Sequence, residues 1–217
     1  MHAVIFAGGT LQPGEAVTTA IAAADIIIAA DSGAAIALRY DCMPAIMVGD
    51  FDSLDALRLQ QLKEQGSRIV QVAAEKDETD TELAIQVVIE EGASTITLLG
   101  GLGGARFDHS IANILLLAGF PTVPIRIVDG PAVCWLLSGP GSAAINGQPG
   151  DLLSLFPLTG EAENVRTKGL YYPLHGEALR FGKPRGVSNV LTDEQAEVSL
   201  DSGLLLIIHT NSRELET

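Results

Sequence analysis

Acidic side chains recur directly after short apolar runs in the first half of this chain. Apolar runs of this length predict strands, and in an open α/β sheet ligands bind in the crevice outside the carboxyl ends of the strands. Acids gathered there predict one shared site for a metal ion and a phosphate group rather than scattered surface charge. The acids concerned are Asp31, Asp50, Asp52, Asp77, Asp80 and Asp108.

Asp50 and Asp52 are separated by one residue, so in an extended segment their side chains project to the same side. Two carboxylates placed in this way can share Mg²⁺, which prefers hard oxygen ligands and keeps water and substrate phosphates as its other ligands. The alternative is an ordinary turn, because Gly-Asp and Asp-Ser are common turn dipeptides. The additional acids Asp31 and Asp80 favour the metal site.

A helix start is predicted at Thr79, because Glu82 follows it three residues later and the pair forms a capping box. Asp80 then lies in the first turn, where a metal-bound phosphate could dock. For Asp77 the helix dipole alone is a sufficient explanation of an acid at this place. Lys76 either contacts a phosphate or balances the acid that precedes it.

A glycine-rich segment, residues 100–104, lies between a predicted strand and a predicted helix, where its backbone amides can approach a phosphate closely. The segment fits neither the P-loop nor the GxGxxG pattern, which disfavours a P-loop ATPase and a Rossmann dehydrogenase. Arg106 supplies a guanidinium that can hold phosphate through two hydrogen bonds. Asp108 is expected at a helix N-cap, and His109 reads more readily as a structural hydrogen-bonding residue than as a base.

Strand-like and helix-like stretches alternate up to residue 129, which is the β-α-β pattern of a parallel sheet. We expect about six parallel strands. The predicted strands are 4–7, 25–29, 46–48, 69–72, 96–99 and 125–128, and the predicted helices are 17–24, 34–40, 54–65, 79–91 and 108–118.

Beyond Gly130 the helical periodicity disappears, and short β-rich segments are separated by Gly, Pro and Asn turns. The predicted strands there are 133–137, 152–156, 187–191, 197–200 and 204–210. This spacing is typical of a small β-sandwich or barrel. The sequence therefore predicts an α/β fold: an N-terminal open, mostly parallel sheet with flanking helices (1–130), followed by a smaller all-β sandwich or barrel domain (131–217).

The charge of the chain limits its partners. Among 217 residues, 13 Lys and Arg oppose 27 Asp and Glu, a formal net charge of -14. Nucleic acids and anionic membranes both need basic patches, so neither is expected as a partner. A polyphosphate ligand would have to arrive with Mg²⁺. The acidity also fits a general role in keeping the protein soluble.

Cys42 and Cys134 are too few for a disulfide framework and lie in no metal-binding pattern, which fits a reducing compartment. The chain begins without a basic signal-like region, and no apolar run approaches the roughly 18 residues of a membrane span. We expect a soluble, cytoplasmic protein.

These segments resemble the motifs of the thiamine pyrophosphokinase family, which carries DxGA, GDFDS, DxTD and GGRxDH segments in this order. The matching residues are 31–34, 49–53, 77–80 and 103–109. The last departs from the family by one extra residue, Ala105, before Arg106. Residues 169–174 and 187–189 resemble the thiamine-contacting segments of that family, so the likeness covers nearly the whole chain.

The resemblance implies transfer of a diphosphoryl group from ATP to the hydroxyl of thiamine, giving thiamine diphosphate and AMP. It implies a nucleotide- and Mg²⁺-binding catalytic domain (1–130), a thiamine-binding domain (131–217), and a homodimer in which the β-domain of one subunit completes the site of the other. The expected catalytic residues are Asp31, Asp50, Asp52, Asp80, Arg106 and Asp108, of which Asp50, Asp52 and Asp80 bind the metal. The expected ATP contacts are Lys76, Asp77, Gly103, Gly104, Arg106 and His109, and the expected thiamine contacts are Tyr172, Ser188 and Asn189.

Three alternatives remain open. The acids specify diphosphoryl transfer more firmly than its acceptor, so another hydroxymethyl heterocycle such as a pterin could replace thiamine. A non-catalytic sensor would bind nucleotide and thiamine without turnover. Without the resemblance, Tyr171 and Tyr172 would be read as ordinary strand packing.

Overall fold

The computed structural model describes residues 1–51 and 56–215. The chain forms two compact units, Met1–Gly130 and Pro131–Thr217. Below, they are called unit 1 and unit 2.

Strands and helices alternate along the described part of unit 1. The strands are β1 (His2–Phe6), β2 (Ile26–Ala30), β3 (Ile46–Gly49), β4 (Arg68–Gln71), β5 (Thr95–Leu99) and β6 (Ile125–Asp129). The helices are α1 (Glu15–Ala22), α2 (Gly33–Arg39), α3 (Ala56–Glu64), α4 (Asp80–Glu90) and α5 (Phe107–Leu116), with a 3₁₀ turn at Leu117–Gly119. The six strands and five helices predicted from the sequence are confirmed, with ends that differ by one to a few residues.

The strands of unit 1 lie in the order β6-β5-β1-β2-β3-β4, and every neighbouring pair is parallel. In β1, Ala3, Val4, Ile5 and Phe6 are all fully buried. Because successive side chains of a strand point to opposite faces, this run shows that both faces of the sheet are covered there. This burial on both faces explains why the sequence of β1 is a continuous apolar run from Ala3 to Phe6.

Helix α2 lies directly against the end of β1. A Cβ atom on Gly33, the first residue of α2, would lie only 1.9 Å from the carbonyl oxygen of Phe6. Only glycine permits this close approach of two backbones. The contact places the turn before α2, which contains Asp31, next to the carboxyl end of β1.

Within unit 2, the described strands pair antiparallel in two sets of four, one in each of two sheets. Its strands are β7 (Ala132–Ser138), β8 (Gly141–Asn146), β9 (Leu152–Pro157), β10 (Glu161–Lys168), β11 (His175–Arg180), β12 (Gly186–Val190), β13 (Gln195–Leu200) and β14 (Leu204–Thr210). One set has the order β12-β9-β14-β7 and the other β11-β10-β13-β8.

A buried apolar cluster draws residues from both of these sheets. Leu155 and Ile207 contribute to it from one sheet, and Leu179 and Val198 from the other. This is the packing of a β-sandwich. The predicted fold class is therefore confirmed: an α/β unit with a parallel sheet, followed by a smaller all-β unit.

In the residues that the structure describes, no helix combines the length and the apolar character needed to cross a membrane.

Candidate active site

The sheet of unit 1 reverses its direction of growth at β1. The chain adds β2, β3 and β4 on one side of β1 and then returns to place β5 and β6 on the other. Ligands of open α/β sheets bind at such a switch point, outside the carboxyl ends of the strands. A cavity of about 340 Å³ lies there, lined by the loop after β1, the end of β2, the first turn of α4, the glycine loop after β5 and the start of α5.

Asp31 lines this cavity from the end of β2. Its backbone N–H donates to the carbonyl of Val48 at 2.8 Å, which continues the pairing of β2 with β3. Its φ angle is 44°, in the left-handed region. A Cβ on Gly49 would lie 3.2 Å from Asp31 Cα, so the ends of β2 and β3 are in close contact and Asp50, the next residue, follows immediately.

Asp50 is half-buried at the end of β3 and is not among the described residues that line the cavity. Asp52 lies outside the described residues. Asp50 and Asp52 were expected to project to one side of an extended segment, but the backbone is not extended at Phe51, the residue between them. Phe51 has φ 59° and its side chain is buried in a core cluster with Met47 and Leu62.

The start of α4 is formed as the capping box predicted. Thr79 is the N-cap, and its hydroxyl accepts a hydrogen bond from the backbone N–H of Glu82 at 3.1 Å. Asp80 is thereby held in the first turn, on the cavity wall. The helix dipole and the unpaired N–H groups of this turn favour negative charge there.

Asp80 forms an ion pair with Lys76. The ammonium nitrogen lies 3.0 Å from Asp80 Oδ1 and donates a hydrogen bond to the carbonyl of Ala73 at 3.1 Å. In the described part of the chain, Asp80 Oδ1 is a buried oxygen without a partner in hydrogen-bond geometry. Lys76 is therefore close enough to neutralise this oxygen but is not aligned to donate a hydrogen bond to it.

The glycine loop after β5 has a backbone that other residues would adopt only with strain. Gly103 and Gly104 both have positive φ angles, 69° and 81°. Together with Ala105, these exposed residues form one wall of the cavity. A glycine-rich backbone of this kind can approach a phosphate closely.

Arg106 and Asp108 form an exposed ion pair at the start of α5. Arg106 Nη2 donates to Asp108 Oδ2 at 2.7 Å, and Nε donates to Oδ1 at 3.0 Å. The hydrogen bond from Arg106 is the main reason that the pKa of Asp108 falls to about 2. The carboxylate raises the pKa of Arg106 in turn.

The expectation that Asp108 is the N-cap of α5 is wrong. The helix begins at Phe107, so Arg106 holds the N-cap position and Asp108 lies in the first turn. The extra residue Ala105 precedes this position. Asp108 still benefits from the helix terminus, since the backbone N–H of His109 contributes to lowering its pKa.

Only some of the remaining predicted ATP contacts lie on the cavity wall. Arg106 and His109 lie on the cavity wall, and His109 is exposed rather than buried in a structural hydrogen-bond network. Lys76 is not among the described residues of the wall, but it pairs with Asp80, which is. Asp77 is exposed and is not part of the wall among the described residues.

In unit 2, two hydrogen bonds join the side chain of Asn189 to the backbone of Tyr172. Asn189 Oδ1 accepts from the backbone N–H of Tyr172 at 3.0 Å, and Asn189 Nδ2 donates to the Tyr172 carbonyl at 2.8 Å. Ser188 has φ 56° and lies where the register between β12 and β9 shifts, as in a β-bulge. Such a bulge directs a side chain out of the regular alternation.

The reading of Tyr171 and Tyr172 as strand packing is wrong. Both lie between β10 and β11, and their side chains are 66% and 67% exposed. Their rings meet edge to face, with centroids 4.8 Å apart. Two adjacent exposed aromatic rings offer a surface that a flat heterocycle can stack on.

Sequence reasoning missed the polar residues that α5 buries. Ser110 and Asn113, three positions apart, are buried and line the cavity. The same helix exposes Phe107, Ile111 and Leu115. The sequence places Ser110 and Asn113 on one face of the helix, but only the structure shows that this polar face is the buried one.

Among the residues that the structure describes, no group of three or more His, Cys, Asp and Glu side chains is arranged to hold a metal ion. The buried Asp80 Oδ1 nevertheless suits a hard cation such as Mg²⁺. Carboxylate oxygens are also available at neighbouring strand and helix ends, from Asp31, Asp50 and Asp80, and such oxygens suit that ion.

The fold and cavity define an α/β protein with a β-sandwich unit. Its ligand cavity, at the switch point of the parallel sheet, is lined in part by acidic residues. A family model described as the catalytic domain of thiamin pyrophosphokinase matches residues 17–128. A second, described as the vitamin B1 binding domain of thiamin pyrophosphokinase, matches residues 144–205. The chain belongs to the thiamin pyrophosphokinase family, and the resemblance seen in the sequence is confirmed.

Individual relatives agree with this assignment. A thiamine pyrophosphokinase of Bacillus subtilis (strain 168) is 28% identical over 186 residues, covering 84% of this chain and 86% of the relative. A solved thiamine pyrophosphokinase structure from Bacillus subtilis superposes with a TM-score of 0.86 at 26% identity, covering 98% of this chain and all of that one. A thiamin pyrophosphokinase structure from Geobacillus thermodenitrificans gives 0.83 at 28% identity, covering 98% of each chain.

Proposed function

We propose that this protein is a thiamine diphosphokinase, a transferase of thiamine diphosphate biosynthesis. It transfers the diphosphoryl group of ATP to the hydroxyl of thiamine and releases thiamine diphosphate and AMP. The observation that carries the proposal is that both units match models of one family, in chain order. The pterin and sensor alternatives are not favoured by these comparisons.

ATP is proposed to bind in the cavity at the switch point. The backbone of Gly103 and Gly104 would approach the phosphates, and His109 and Arg106 stand on the same wall. The Lys76 ammonium would add a positive charge near the phosphates. Asp77, which is not among the described residues of the wall, is also proposed as an ATP contact. About 340 Å³ lies within the usual range of small-molecule sites, roughly 300–1,000 Å³.

Asp50, Asp52 and Asp80 are proposed as the Mg²⁺ ligands, with Asp31 and Asp77 in support. When bound, Mg²⁺ would neutralise charge on the polyphosphate. The buried Asp80 Oδ1 supports its part in this assignment. The assignment of Asp52 rests on the sequence.

The transfer forms one bond and breaks one. The thiamine hydroxyl oxygen attacks the β-phosphorus of ATP, and the bond from that phosphorus to the oxygen bridging to the α-phosphorus breaks, so that AMP leaves. The hydroxyl proton passes to a carboxylate. We favour Asp31 over Asp108 as the acceptor, because Asp31 lines the cavity whereas the Asp108 carboxylate is engaged by hydrogen bonds from Arg106. Arg106 would stabilise charge on the transferred group.

Thiamine is proposed to bind unit 2 through Tyr172, Ser188 and Asn189, and the site is proposed to lie at the interface of a homodimer. Both units carry exposed apolar side chains that a second subunit could cover. They include Phe107, Ile111 and Leu115 in unit 1, and Tyr171, Tyr172, Phe181 and Val187 in unit 2. Single exposed apolar residues are ordinary, but a set on one helix face is typical of an interaction surface.

A cytoplasmic location is proposed. Cys42 and Cys134 are buried, and neither is in a disulfide. Burial raises the pKa of the Cys42 thiol, which keeps it protonated and unreactive. Such thiols suit a reducing compartment.

The function is tested by incubating the purified protein with ATP, Mg²⁺ and one acceptor, either thiamine or a hydroxymethyl pterin. Chromatography then resolves the nucleotides, with EDTA as the control. Magnesium-dependent AMP with thiamine, and none with the pterin, is the expected result. AMP formed only with the pterin would mean that the acceptor is a pterin and not thiamine. Binding of ATP or thiamine without any AMP would favour a sensor.

A further inference from the structure

Asn113 is a buried amide that contacts the glycine loop. Its side chain, in α5, lies on the cavity wall with 6% of its surface exposed. Its Nδ2 donates to the carbonyl oxygen of Gly101 at 2.7 Å. A buried polar side chain costs stability unless it is paired, so this hydrogen bond accounts for an asparagine at a position where a helix would otherwise place an apolar residue.

Three successive carbonyls of the glycine loop are held by hydrogen bonds. Gly100 O accepts from the backbone N–H of Gly9 at 2.8 Å, and Leu102 O accepts from that of Thr10 at 3.1 Å. The carbonyl between them, that of Gly101, is the one bonded to Asn113. The outer two bonds extend the pairing of β1 with β5 and need no particular side chain, whereas the central bond depends on an amide at position 113.

The loop needs such a restraint because of its glycines. Gly100, Gly103 and Gly104 all have positive φ angles, a conformation that glycine adopts easily but also leaves easily. A flexible loop must be ordered when a ligand binds, and ordering it in advance removes that cost from binding. The central hydrogen bond therefore acts on the segment proposed to receive the phosphates of ATP.

We infer that Asn113 is a positioning residue for ATP: it fixes the loop 100–104 in the conformation that accepts the nucleotide phosphates. The inference rests on the proposed function. Asn113 does not need to touch the reacting atoms for this role. Its loss should weaken ATP binding and leave thiamine binding unchanged, because the proposed thiamine contacts belong to unit 2.

The test compares wild type with Asn113→Asp and Asn113→Ser. Both variants lack the Nδ2 donor. Asn113→Asp also places a carboxylate opposite the carbonyl oxygen of Gly101. The Kd of ATP is measured by calorimetry with Mg²⁺ and without thiamine, and the Kd of thiamine is measured separately. Hydrogen exchange of the peptide covering residues 100–104 reports on the order of the loop.

We expect ATP to bind roughly tenfold more weakly to both variants, in line with the loss of one buried hydrogen bond. The Kd of thiamine should stay within twofold, and exchange in the loop should become faster. Asn211→Asp is the matched control. It removes an amide donor that bonds Glu214 Oε1 at 2.8 Å in unit 2, and it should leave ATP affinity and loop exchange unchanged.

Two results would overturn the inference. One is an ATP affinity within twofold of wild type in both variants. The other is a parallel loss of ATP and thiamine affinity with a lower Tm, which would mean that Asn113 only stabilises the fold. Asn113→Ser keeps the test valid if the aspartate variant fails to fold. If the proposed function is wrong, the wild-type protein itself will not bind ATP or will not form AMP.

Discussion

Replacing Lys76 with methionine should change metal and nucleotide affinity in opposite directions. The Lys76 ammonium lies 3.0 Å from Asp80 Oδ1, the oxygen proposed to bind Mg²⁺. A divalent ion that approaches this oxygen competes with a positive charge already present. Methionine keeps the apolar length of the side chain and removes the charge, so the competition disappears.

The size of the effect follows from the geometry. Coulomb's law with an effective dielectric constant of about 20 gives roughly 5 kcal/mol for unit charges 3.0 Å apart. The two side chains are 14% and 27% exposed, and solvent screening and desolvation offset most of this attraction. A net value of about 1.5 kcal/mol corresponds to a roughly tenfold change in affinity.

Binding of Mn²⁺, used in place of Mg²⁺, is measured by calorimetry or electron paramagnetic resonance without nucleotide. Lys76→Met should bind Mn²⁺ roughly tenfold more tightly and bind ATP more weakly, since a cation for the phosphates is lost. Lys63→Met changes the net charge equally at an exposed position of α3 and should alter neither. An unchanged or weaker Mn²⁺ affinity in Lys76→Met would refute the reasoning.

Three further substitutions test other parts of the site. Asp80→Asn should lower kcat by roughly 10² or more, because it removes a preorganised charge at the proposed metal position; steady-state kinetics measure this. Tyr172→Ala should raise the KM for thiamine and leave the Tm nearly unchanged, because the ring is exposed and stacking on the heterocycle is lost. Ile111→Lys should shift the protein towards monomer in analytical ultracentrifugation, because it places a charge on the exposed apolar face of α5.

Each of these has a result that would contradict it. Normal turnover in Asp80→Asn would exclude a metal role for that carboxylate. An unchanged KM for thiamine in Tyr172→Ala would leave the ring without a part in acceptor binding. If Ile111→Lys sediments as the wild type does, this helix face is not the subunit contact.

The fold of unit 1 could be predicted largely because its inner strands, such as β1, β3 and β5, are buried on both faces. Runs such as Ile26–Ala30 are then continuously apolar and end abruptly at polar residues. In unit 2, three strands were missed, β8, β10 and β11. Strand β10 shows the cause: its sequence EAENVRTK alternates buried and exposed positions, with a bulge near Asn164, and its apolar residues are too few to mark it.

The candidate site was predictable where a local rule determines the structure. The capping box placed Asp80 correctly, because Thr79 and Glu82 fix the helix start by themselves. The N-cap of α5 was not predictable in this way, since Asp108 offers a suitable side chain but the loop enters the helix two residues earlier. Asn113 was missed because its partner, Gly101, is distant in sequence and the contact depends on the packed fold.

The central claim is transfer of a diphosphoryl group to thiamine, and isotope labelling tests it most directly. The protein is incubated with thiamine, Mg²⁺ and ATP radiolabelled at either the α- or the β-phosphorus, and the products are separated. The account predicts that the β label moves into thiamine diphosphate and that the α label remains in AMP, in equal amounts. Release of ADP that still carries the β label would contradict it, because a single phosphoryl group would then have left the nucleotide.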